Sequence, residues 1–422
     1  MNLHDRSVVL GVTGGIAAYK SAELVRALRQ RGVRVRVVMT RGAQQFVTPL
    51  TLQTLSGHPV STDLWDLTQE SQIGHIELAD TAEVLLIAPA TANVIAKLAC
   101  GIADDLLSTI AVATRARLVV APAMNVHMYE SPVVQENLER LRRRGVRVVT
   151  PDSGSLACGY EGLGRLPDAD VLVEEVRAAL SPQDMAGETV LVTAGPTREY
   201  MDPVRFLSNR SSGKMGFAVA RAAARRGARA VLVTGPTALP DPRGLEVVRV
   251  ESASDMARAV DARVGAATVV VAAAAVADYR PKRRAHQKDA KVKGATTLEL
   301  ETTRDIVATI DRGRRDRIVV GFAAETGDPV EKARGKLERK GLDLIVANDV
   351  TAEGAGFDVE TNVVTLVDAS GATSLPLLDK DDVAEAIVDR VIALRAERAK
   401  PARRARTGRA NATPPSRARR RR

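Results

Sequence analysis

Short apolar runs alternate with amphipathic stretches along most of the chain. Ser7–Val12 has the continuous apolar character of a buried strand, and a Gly-rich turn follows it. An amphipathic segment over about 17–31 then ends at Gly32, and a second apolar run occupies 33–39. Strands separated by helices of this length indicate βαβ units and a parallel sheet.

The same alternation continues in two blocks. The first block ends near residue 180, at a segment of linker composition, 181–187. The alternating pattern then begins again with a strand, a Gly/Pro loop and a helix. We therefore predict two α/β domains with Rossmann-like parallel sheets, at 1–180 and 188–395, and a tail at 396–422. The remaining predicted strands are 84–88, 118–121, 147–149, 189–193, 230–233, 246–250, 268–273, 317–322 and 342–347, and a helix is predicted at about 214–226.

Charge is distributed unevenly along the chain. The 61 basic and 51 acidic residues give a net charge of +10, a value typical of a protein with a nucleic-acid partner. Residues 398–422, however, hold 11 basic residues and no acidic one, which leaves 50 basic against 51 acidic residues in the rest of the chain. The basicity therefore belongs to the tail. Because the tail has almost no apolar bulk, we predict that it is disordered and makes at most non-specific contacts with polyanions.

Composition narrows the class of protein. Aromatic residues make up only 3% of the chain, so the core must be Val, Leu, Ile and Ala, and a base-stacking surface is disfavoured. Two cysteines, Cys100 and Cys158, cannot form a disulfide framework, which fits a reducing compartment. The longest apolar run, 269–277, is too short to span a bilayer, and the first residues lack the apolar stretch of a signal peptide. We expect a soluble, cytoplasmic protein with no membrane partner.

A Gly-rich loop between the first strand and the first helix is a candidate phosphate site. Gly14, Gly15, Ile16 and Ala17 lie where glycines let the backbone approach a phosphate and a helix N-terminus supplies N–H donors. The spacing is not G-x-G-x-x-G, and Thr40, not an acid, ends the second strand. A mononucleotide phosphate is therefore favoured over NAD, and a tight turn that binds nothing is the alternative.

Three side chains of the first domain are candidates for chemistry. His75 is one of five histidines, and a lone His is more often structural. Asn125 follows the carboxyl end of a strand, where ligand sites of open α/β sheets lie; its amide can donate two hydrogen bonds to a carboxylate or simply form a turn. Cys158 stands in a Gly-rich segment too polar to be core, where a thiol can act as an acid or nucleophile. Cys100, on a helical stretch, fits a buried and inert cysteine.

The first domain resembles the flavin-dependent cysteine decarboxylases of coenzyme A synthesis. The motifs are GGIAAYK, HIEL, PATAN, PAMNVHM and ACG, in that order. The resemblance implies a flavodoxin-like fold, FMN as cofactor and 4′-phosphopantothenoylcysteine as substrate. FMN would accept a hydride as the thiol is oxidised, the thioaldehyde would lose CO₂, and the reduced flavin would reduce the enethiol product.

The resemblance also assigns roles within the first domain. His75 is the base or charge partner of the oxidative half, Asn125 with Met124 holds the substrate carboxylate, and Cys158 donates the proton of the reductive half. The family flap usually reads ACGD, and Tyr160 stands here in place of the Asp. The residues implied to bind FMN are Gly14, Gly15, Ile16, Ala17, Thr40, Pro89, Ala90, Thr91 and Ala92.

The second domain has nucleotide-binding features but no Walker A motif. Residues 209–216 are small and polar and open a helix, which suits an anion, although a capped helix alone has the same pattern. Asp278 follows a strand and suits a metal or a ribose. Lys336 and Lys340 are spaced i, i+4 and suit a triphosphate, two solvent-exposed lysines being the commoner explanation.

The second domain resembles phosphopantothenate–cysteine ligase. The motifs are AGPTRE, SNRSSGKMG, AAVADYRP, GFAAET and ANDV. The resemblance implies that CTP activates the carboxylate of 4′-phosphopantothenate as an acyl-cytidylate, that the amine of L-cysteine then forms the amide, and that Mg²⁺ or Mn²⁺ assists. The spacing itself does not separate CTP from ATP. The residues implied are Asn209 for the acyl intermediate and Ala273, Ala274, Ala275, Asp278, Asp305, Ile306, Phe322, Lys336 and Lys340 for the nucleotide.

Two departures affect the ligase motifs. The activating lysine of the family aligns with Lys288 by ungapped spacing and with Lys291 by the shape of the motif, and both stay open. The usual N-P-D-I keeps Asp305 and Ile306 but loses its Asn and Pro.

The two resemblances agree, because the product of the ligase is the substrate of the decarboxylase. Family members assemble from trimeric flavin domains and dimeric ligase domains, so a homo-oligomer, a dodecamer, is expected. One alternative is a flavoprotein acting on peptide C-terminal cysteines, which leaves the second domain unexplained. The other is a nucleic-acid-binding protein, which only the tail supports.

Overall fold

The computed structural model describes residues 3–65, 74–155, 159–288, 294–295, 297–310, 316–325, 329–349, 356 and 359–399. The first of its two α/β units is built on a five-stranded sheet with the order β2-β1-β3-β4-β5. All neighbouring strands in this sheet are parallel, which confirms the sequence prediction. The strands are β1 (Ser7–Val12), β2 (Arg34–Met39), β3 (Val84–Ala90), β4 (Arg117–Pro122) and β5 (Arg147–Val148).

Helices cover both faces of this sheet. A short 3₁₀ helix, Ile16–Tyr19, precedes the first α-helix, and another lies at Ala43–Gln45. The first α-helix therefore begins later than residue 17, where the pattern placed its start. The helices are α1 (Lys20–Gln30), α2 (Pro49–Ser56), α3 (Gly74–Thr81), α4 (Ala92–Cys100), α5 (Leu106–Ala113), α6 (Val126–Glu130), α7 (Pro132–Arg143) and α8 (Ala169–Leu180).

The Gly-rich segment that precedes α8 forms an antiparallel hairpin of β6 (Asp152–Ser155) and β7 (Glu161–Arg165). The sequence indicated only a polar loop here. Alternation of Ser, Gly and Glu gives no apolar face, so no strand pattern was visible. The hairpin lies outside the five-stranded sheet and is available to cover its carboxyl edge.

The second unit has an eight-stranded sheet with the order β12-β11-β8-β13-β16-β17-β19-β20. Its first six strands are parallel, whereas β19 and β20 are antiparallel to their neighbours. The parallel sheet predicted for this domain is thus confirmed for these six strands. The two antiparallel strands were not predicted, and a tight turn before Gly371 returns β20 beside β19. The strands of the sheet are β8 (Thr189–Ala194), β11 (Arg229–Thr234), β12 (Glu246–Arg249), β13 (Val269–Ala272), β16 (Ile318–Glu325), β17 (Leu344–Asp349), β19 (Val364–Asp368) and β20 (Gly371–Ser374).

In the described residues of this unit, three two-stranded ribbons and four helices complete the fold. The ribbons pair β9 (Arg198–Tyr200) with β10 (Phe206–Ser208), β14 (Tyr279–Pro281) with β15 (Leu300–Thr302), and β18 (Thr361–Asn362) with β21 (Leu378–Asp379). The helices are α9 (Lys214–Arg225), α10 (Ala253–Val264), α11 (Pro329–Lys340) and α12 (Lys380–Ala399).

Each sheet is buried between two aliphatic layers, as the scarcity of aromatic residues predicted. Val, Leu, Ile and Ala make up most of the buried side chains on both faces of both sheets. Phe217 is the one aromatic side chain among the largest fully buried residues described. Among the described residues, no helix is long and apolar enough to cross a bilayer.

Two expectations for single segments are corrected. Cys100, expected to be buried, is the last residue of α4 and is exposed, because it lies on the helix face opposite Ile95 and Ala99. The disordered tail was predicted to begin at 396, yet α12 continues to Ala399. There Arg398 donates to the main-chain carbonyl of Arg317 and pairs with Asp343. Residues 400–422 lie outside the described part of the chain.

A buried arginine joins the two units. Arg225, at the end of α9, is 6% exposed. Its two terminal nitrogens donate to Glu174 of α8 at 2.7 Å and to Glu385 of α12 at 2.8 Å. Because a buried guanidinium is costly unless both ends are paired, this contact fixes α8 of the first unit against α9 and α12 of the second.

A carboxylate next to this arginine receives a second pair of bonds across the same boundary. Asp381, in the first turn of α12, accepts from Arg177 of α8 at 3.1 Å and from Arg221 of α9 at 2.8 Å. Burial opposes ionisation of Asp381, but the charges of Arg221, Arg225 and Arg177 outweigh it and lower the pKa of this carboxyl group. The carboxylate form therefore stabilises the folded state.

We predict that Asp381→Asn lowers the free energy of unfolding by about 1–3 kcal/mol at pH 7, because three guanidinium groups lose their shared anion. Since the folded pKa is depressed, the contribution of Asp381 is present above its ordinary pKa of 3.8 and is lost as the pH falls below it. Urea denaturation at pH 7 and at pH 3 measures the difference, which should shrink at the lower pH.

Asp382→Asn is the matched control for this test. Asp382 also lies in the first turn of α12, and no ion pair of its side chain is found in the described part of the chain. An equal loss of stability in both variants would assign the effect to the helix dipole and not to the arginine cluster.

Candidate active sites

The first candidate site lies where strand order reverses in the five-stranded sheet. Strands β1 and β3 are neighbours, and the chain leaves them toward opposite faces. The resulting crevice at the carboxyl ends of the strands is the place where open α/β sheets bind ligands, and the order 2-1-3-4-5 is that of FMN-binding flavodoxin-like folds. The predicted cofactor residues lie at the ends of β1, β2 and β3.

A buried hydroxyl ties two of these loops together. Thr13, which follows β1 and is fully buried, donates to the carbonyl of Pro89 at 2.7 Å and accepts from the N–H of Thr91 at 3.0 Å. The segment Pro89–Thr91 is thereby held against the Gly-rich loop. No motif in the sequence singles out Thr13, although its position directly before Gly14 was the available signal.

The Gly-rich loop also meets the end of β2. A methyl group at Gly14 would lie 2.8 Å from the backbone of Gly42, so only glycine permits this approach. The N–H of Thr40 donates to the Val12 carbonyl at 3.1 Å and keeps the two strand ends in register. Ile16 begins the 3₁₀ helix that follows Gly15, so the first N–H groups of the helix have no partner within it.

Asn125 and Met124 lie on the neighbouring loop. The N–H of Ala123 donates to the Ala90 carbonyl at 3.1 Å, which joins the end of β4 to the end of β3. Asn125 is the N-cap of α6, where its side-chain oxygen accepts from the N–H of His127 at 2.9 Å. This is the turn-forming role given as the alternative.

The β6–β7 hairpin rests directly on this loop. Gly164, with a φ of 151°, accepts from the N–H of Met124 at 3.0 Å. A methyl group there would lie only 2.2 Å from the Met124 carbonyl oxygen. Tyr160, which replaces the family Asp, packs its ring edge-to-face on His127 with the ring centres 4.9 Å apart. An aromatic contact thus stands at the position where the family has a carboxylate.

The structure describes less of the other two candidate reactive side chains, His75 and Cys158. His75 is the second residue of α3 and is half-buried. Cys158 lies outside the described residues.

The second candidate site is a cavity of about 770 Å³ at the carboxyl edge of the larger sheet. The first six strands have the order 3-2-1-4-5-6, and the cavity spans the reversal between β8 and β13. Residues far apart in sequence come together in its wall. The predicted residues that line it are Asn209, Ala273, Ala274, Ala275, Asp278, Asp305, Ile306, Phe322, Lys336 and Lys340.

Threonine hydroxyls fix the loop that carries Asp278. Thr193, at the end of β8, accepts from the N–H of Ala274 at 3.3 Å, and buried Thr197 accepts from the N–H of Ala277 at 3.0 Å. Asn209 on the opposite rim donates from its amide nitrogen to the Val276 carbonyl at 2.9 Å. The two rims are therefore joined directly above the strand reversal.

One predicted phosphate-binding lysine is held by a predicted nucleotide-binding acid. The ammonium group of Lys340, the last residue of α11, lies 2.8 Å from the carboxylate of Asp305. Burial opposes ionisation of Asp305, but the hydrogen bonds from Lys340 and from the Ala308 N–H prevail and lower its pKa. Both groups are thus charged and adjacent in the cavity wall.

Lys380 and Asn362 also face this cavity, and the sequence did not indicate them. Lys380 is the first residue of α12 and is 6% exposed; it donates to the carbonyls of Gly356, at 2.9 Å, and of Val359. Asn362 is fully buried on β18. Neither belongs to a motif with a recognisable spacing, so only the folded chain brings them to the site.

Other predicted residues are not placed in the cavity. Lys288 is exposed and is absent from the cavity wall as far as that wall is described, and Lys291 lies outside the described residues. The choice between these two lysines stays a prediction. The described part of the chain contains no group of three or more His, Cys, Asp or Glu side chains that could hold a metal ion, so Asp278 would supply a single carboxylate.

Comparison with known proteins assigns the family. The Flavoprotein family model matches residues 1–181, and the model of the DNA/pantothenate metabolism flavoprotein C-terminal domain matches residues 185–394. The coenzyme A biosynthesis bifunctional protein CoaBC of Bacillus subtilis (strain 168) is 47% identical over 397 residues, which are 93% of this chain and 98% of that protein. The chain belongs to this family.

A further relative and a solved structure are also similar to this chain. The bifunctional CoaBC protein of Vibrio cholerae is 48% identical over 390 residues, which cover 92% of this chain and 98% of the relative. A crystal structure of the C-terminal domain of a CoaBC protein is 42% identical and covers 51% of this chain and 99% of that chain, with a TM-score of 0.44. The chain is accordingly a bifunctional enzyme of coenzyme A biosynthesis, with a flavoprotein decarboxylase domain followed by a ligase domain.

We predict that Thr13→Val lowers the free energy of unfolding of the decarboxylase domain by about 1–3 kcal/mol. The substitution leaves the buried Pro89 carbonyl and the part-buried Thr91 N–H without the Thr13 hydroxyl as partner. Thermal denaturation followed by circular dichroism measures the change. Thr13→Ser keeps both hydrogen bonds and serves as the control, and equal melting temperatures for Thr13→Val and the wild type would show that the hydroxyl is dispensable.

Proposed function

We propose that the ligase domain joins 4′-phosphopantothenate to L-cysteine with CTP as the activating nucleotide. The substrate carboxylate attacks the α-phosphorus of CTP and releases pyrophosphate, and the acyl-cytidylate is formed. The cysteine amine then attacks the acyl carbon, and CMP leaves. The observation that carries this proposal is the single cavity of about 770 Å³, in which ten residues taken from separate ligase motifs meet.

The nucleotide occupies the part of the cavity between β13 and α11. Phe322 and Ile306 supply apolar surface for a base, and Lys336 and Lys340 supply cations for phosphate groups. Lys340 already pairs with Asp305. A phosphate group that binds there therefore joins an existing ion pair. The preference for CTP over ATP rests on the resemblance alone.

The acyl intermediate lies at the rim formed by Asn209 and the Ala273–Ala275 segment. The amide nitrogen of Asn209 donates to Val276, which orients the side chain across the strand reversal and leaves its oxygen and second N–H for a ligand. The backbone groups of Ala273 to Ala275 can approach the ligand closely because their side chains are only methyl groups. Either Lys288 or Lys291 withdraws charge from the reacting carboxylate.

Mg²⁺ or Mn²⁺ accompanies the nucleotide in this proposal. Mg²⁺ is commonly held by one or two carboxylates together with substrate phosphates. Asp278, the acid at the rim, fits that pattern as a single protein ligand, and the remaining ligands would be phosphate oxygens and water.

We propose further that the decarboxylase domain binds FMN and converts 4′-phosphopantothenoylcysteine to 4′-phosphopantetheine. The residues fit this cofactor. Because Gly14 has no side chain, its backbone lies against Gly42, and the Thr13 hydroxyl holds the Pro89–Thr91 segment by two hydrogen bonds. Both segments meet where the strand order reverses between β1 and β3. Gly14 to Ala17 would bind the phosphate, and Thr40 with Pro89 to Ala92 would border the ring. When bound, FMN supplies a hydride acceptor and donor for the substrate.

The protein side chains hold the substrate and move its protons. Asn125 donates from its amide nitrogen to the substrate carboxylate, with Met124 beside it. An uncharged donor suits this group because the carboxylate must leave as neutral CO₂, and a full positive charge would stabilise the ground state. His75 acts in the oxidative half, and Cys158 donates the proton in the reductive half.

A homo-oligomer, a dodecamer, is part of the proposal. Several large apolar side chains of the decarboxylase domain are exposed in the single chain, among them Ile16, Tyr19, Leu50 and Trp65, and such surfaces are typical of subunit interfaces. The cytoplasmic location and the role of the basic tail stay predictions from the sequence.

We predict that the purified protein is yellow because it carries bound FMN. With phosphopantothenate, cysteine, CTP and Mg²⁺ it should release pyrophosphate and CO₂ in equal amounts. A colourless protein that takes up no FMN would contradict the decarboxylase assignment. Pyrophosphate release that does not depend on phosphopantothenate would contradict the ligase assignment.

We predict that Asn209→Ala lowers the ligase kcat/KM by about 10- to 100-fold, because an amide that bonds the acyl intermediate is lost. Pyrophosphate release is measured, and CO₂ release from supplied phosphopantothenoylcysteine should not change. Asn137→Ala, on α7 of the other domain, is the matched control. Unchanged ligase kcat/KM in Asn209→Ala would remove Asn209 from its role.

A further inference from the structure

A loop of the ligase domain reaches the hairpin of the decarboxylase domain. Arg243 lies in the 235–245 segment between β11 and β12. Its guanidinium group donates to the carboxylate of Asp152 and, at 3.4 Å, to the carbonyl of Thr150. Asp152 is the first residue of β6, so the ligase domain contacts the hairpin where it leaves the body of the decarboxylase domain.

The loop that carries Arg243 is fixed along its length. A methyl group at Gly235 would lie 1.7 Å from the Pro196 carbonyl oxygen, so the loop leaves β11 pressed against the neighbouring backbone. Farther along, Arg249 of β12 donates to the Leu239 carbonyl at 3.1 Å and pairs with Asp241 at 2.6 Å. Arg243 is therefore presented to the hairpin from a defined position.

The hairpin connects the Arg243 contact to the decarboxylase crevice. Asp152 is paired in register with Arg165, the last residue of β7. Immediately before Arg165, Gly164 accepts from the N–H of Met124, and two residues earlier a methyl group at Gly162 would lie 2.7 Å from Val126. The hairpin thus packs on both sides of Asn125, and its base is the end that Arg243 holds.

The base of the hairpin is also linked to the cofactor loop. Asp168, the N-cap of α8, lies 4.0 Å from Arg165 and 3.0 Å from the ammonium group of Lys20. Lys20 begins α1, directly after the 3₁₀ helix of the Gly-rich loop. A line of alternating charges therefore runs from the ligase loop, along the base of the hairpin, to the candidate FMN phosphate site.

We propose that Arg243 is a positioning residue for the decarboxylase reaction, supplied by the ligase domain. It holds the β6–β7 hairpin against the Met124–Val126 segment so that the substrate carboxylate is enclosed beside Asn125. The inference rests on the proposed decarboxylase function. It implies that the decarboxylase site reaches its full activity only when the ligase domain of the same chain is attached.

The contact is partly exposed, so its effect is modest and is best tested by reversing charge. The side chains of Arg243 and Asp152 are 48% and 23% exposed, and such pairs contribute little when one partner is merely truncated. Arg243→Glu instead sets two carboxylates against each other. The full-length variant should show a decarboxylase kcat/KM about five- to tenfold lower, chiefly through a raised KM for phosphopantothenoylcysteine.

Rescue separates positioning from general damage. Combining Arg243→Glu with Asp152→Arg restores the pair with opposite polarity, and kcat/KM should return to within about twofold of the wild type. Amide hydrogen exchange should be faster in β6 and β7 in the single variant and normal in the double variant. Ligase turnover, measured as pyrophosphate release, should be unchanged throughout, and Arg229→Glu, which breaks a pair inside the ligase domain, should leave decarboxylation unchanged.

The outcomes distinguish this proposal from the function on which it rests. A wild type that releases no CO₂ overturns the decarboxylase assignment and this proposal with it. A wild type and an Arg243→Glu variant that are equally active overturn this proposal alone. A loss of activity that Asp152→Arg does not repair, with normal exchange in the hairpin, likewise overturns it.

Discussion

Both sites depend on a buried threonine hydroxyl at the end of the first strand of each sheet. In the decarboxylase domain Thr13 ties the β1 loop to the β3 loop. In the ligase domain Thr193 and Thr197 tie the β8 loops to the loop after β13. Parallel sheets leave loop backbone groups at their carboxyl edge without ladder partners. A hydroxyl, which both donates and accepts, satisfies those groups across the strand reversal and sets the shape of the crevice where ligands bind.

The strands and the sites were predictable from sequence because their physical causes are local. Continuous apolar runs identify strands that are buried on both faces, and Gly14 or Asn209 belongs to a motif whose spacing is visible in the chain. Thr13 was missed because a single Thr beside a glycine has no pattern of its own. The edge strand β20 was missed because its sequence, GATS, has no apolar run, and the hairpin of β6 and β7 because its residues are almost all small or charged. Strand β19 has an apolar run, VTLVD, that was overlooked.

Side chains that meet only through the fold were beyond sequence reasoning. Lys380 enters the ligase cavity from the first turn of the last helix, far from every nucleotide motif, and Asn362 enters from a two-residue strand. Cys100 shows the opposite error, since helical position was taken to imply burial, whereas its face of α4 looks outward.

The cations of the ligase cavity are also already paired, Lys340 with Asp305 and Lys214 with Glu360. In the proposed function, anionic substrates therefore join existing ion pairs, in keeping with a body whose net charge is close to zero.

The arginine cluster at the domain boundary is balanced on each side. The ligase domain contributes Arg221 and Arg225 together with Asp381 and Glu385, and the decarboxylase domain contributes Arg177 together with Glu174. Each half of this set of six side chains is thus neutral before the halves meet. Arg226, next along the chain, pairs with Glu385, Asp184 and Asp389. When the two domains dock, their ion pairs rearrange into a larger set, and no buried charge in either domain is left without an opposite charge. Each domain can consequently complete its own folding as the chain emerges, N-terminal domain first, and the boundary closes last as an association between finished surfaces.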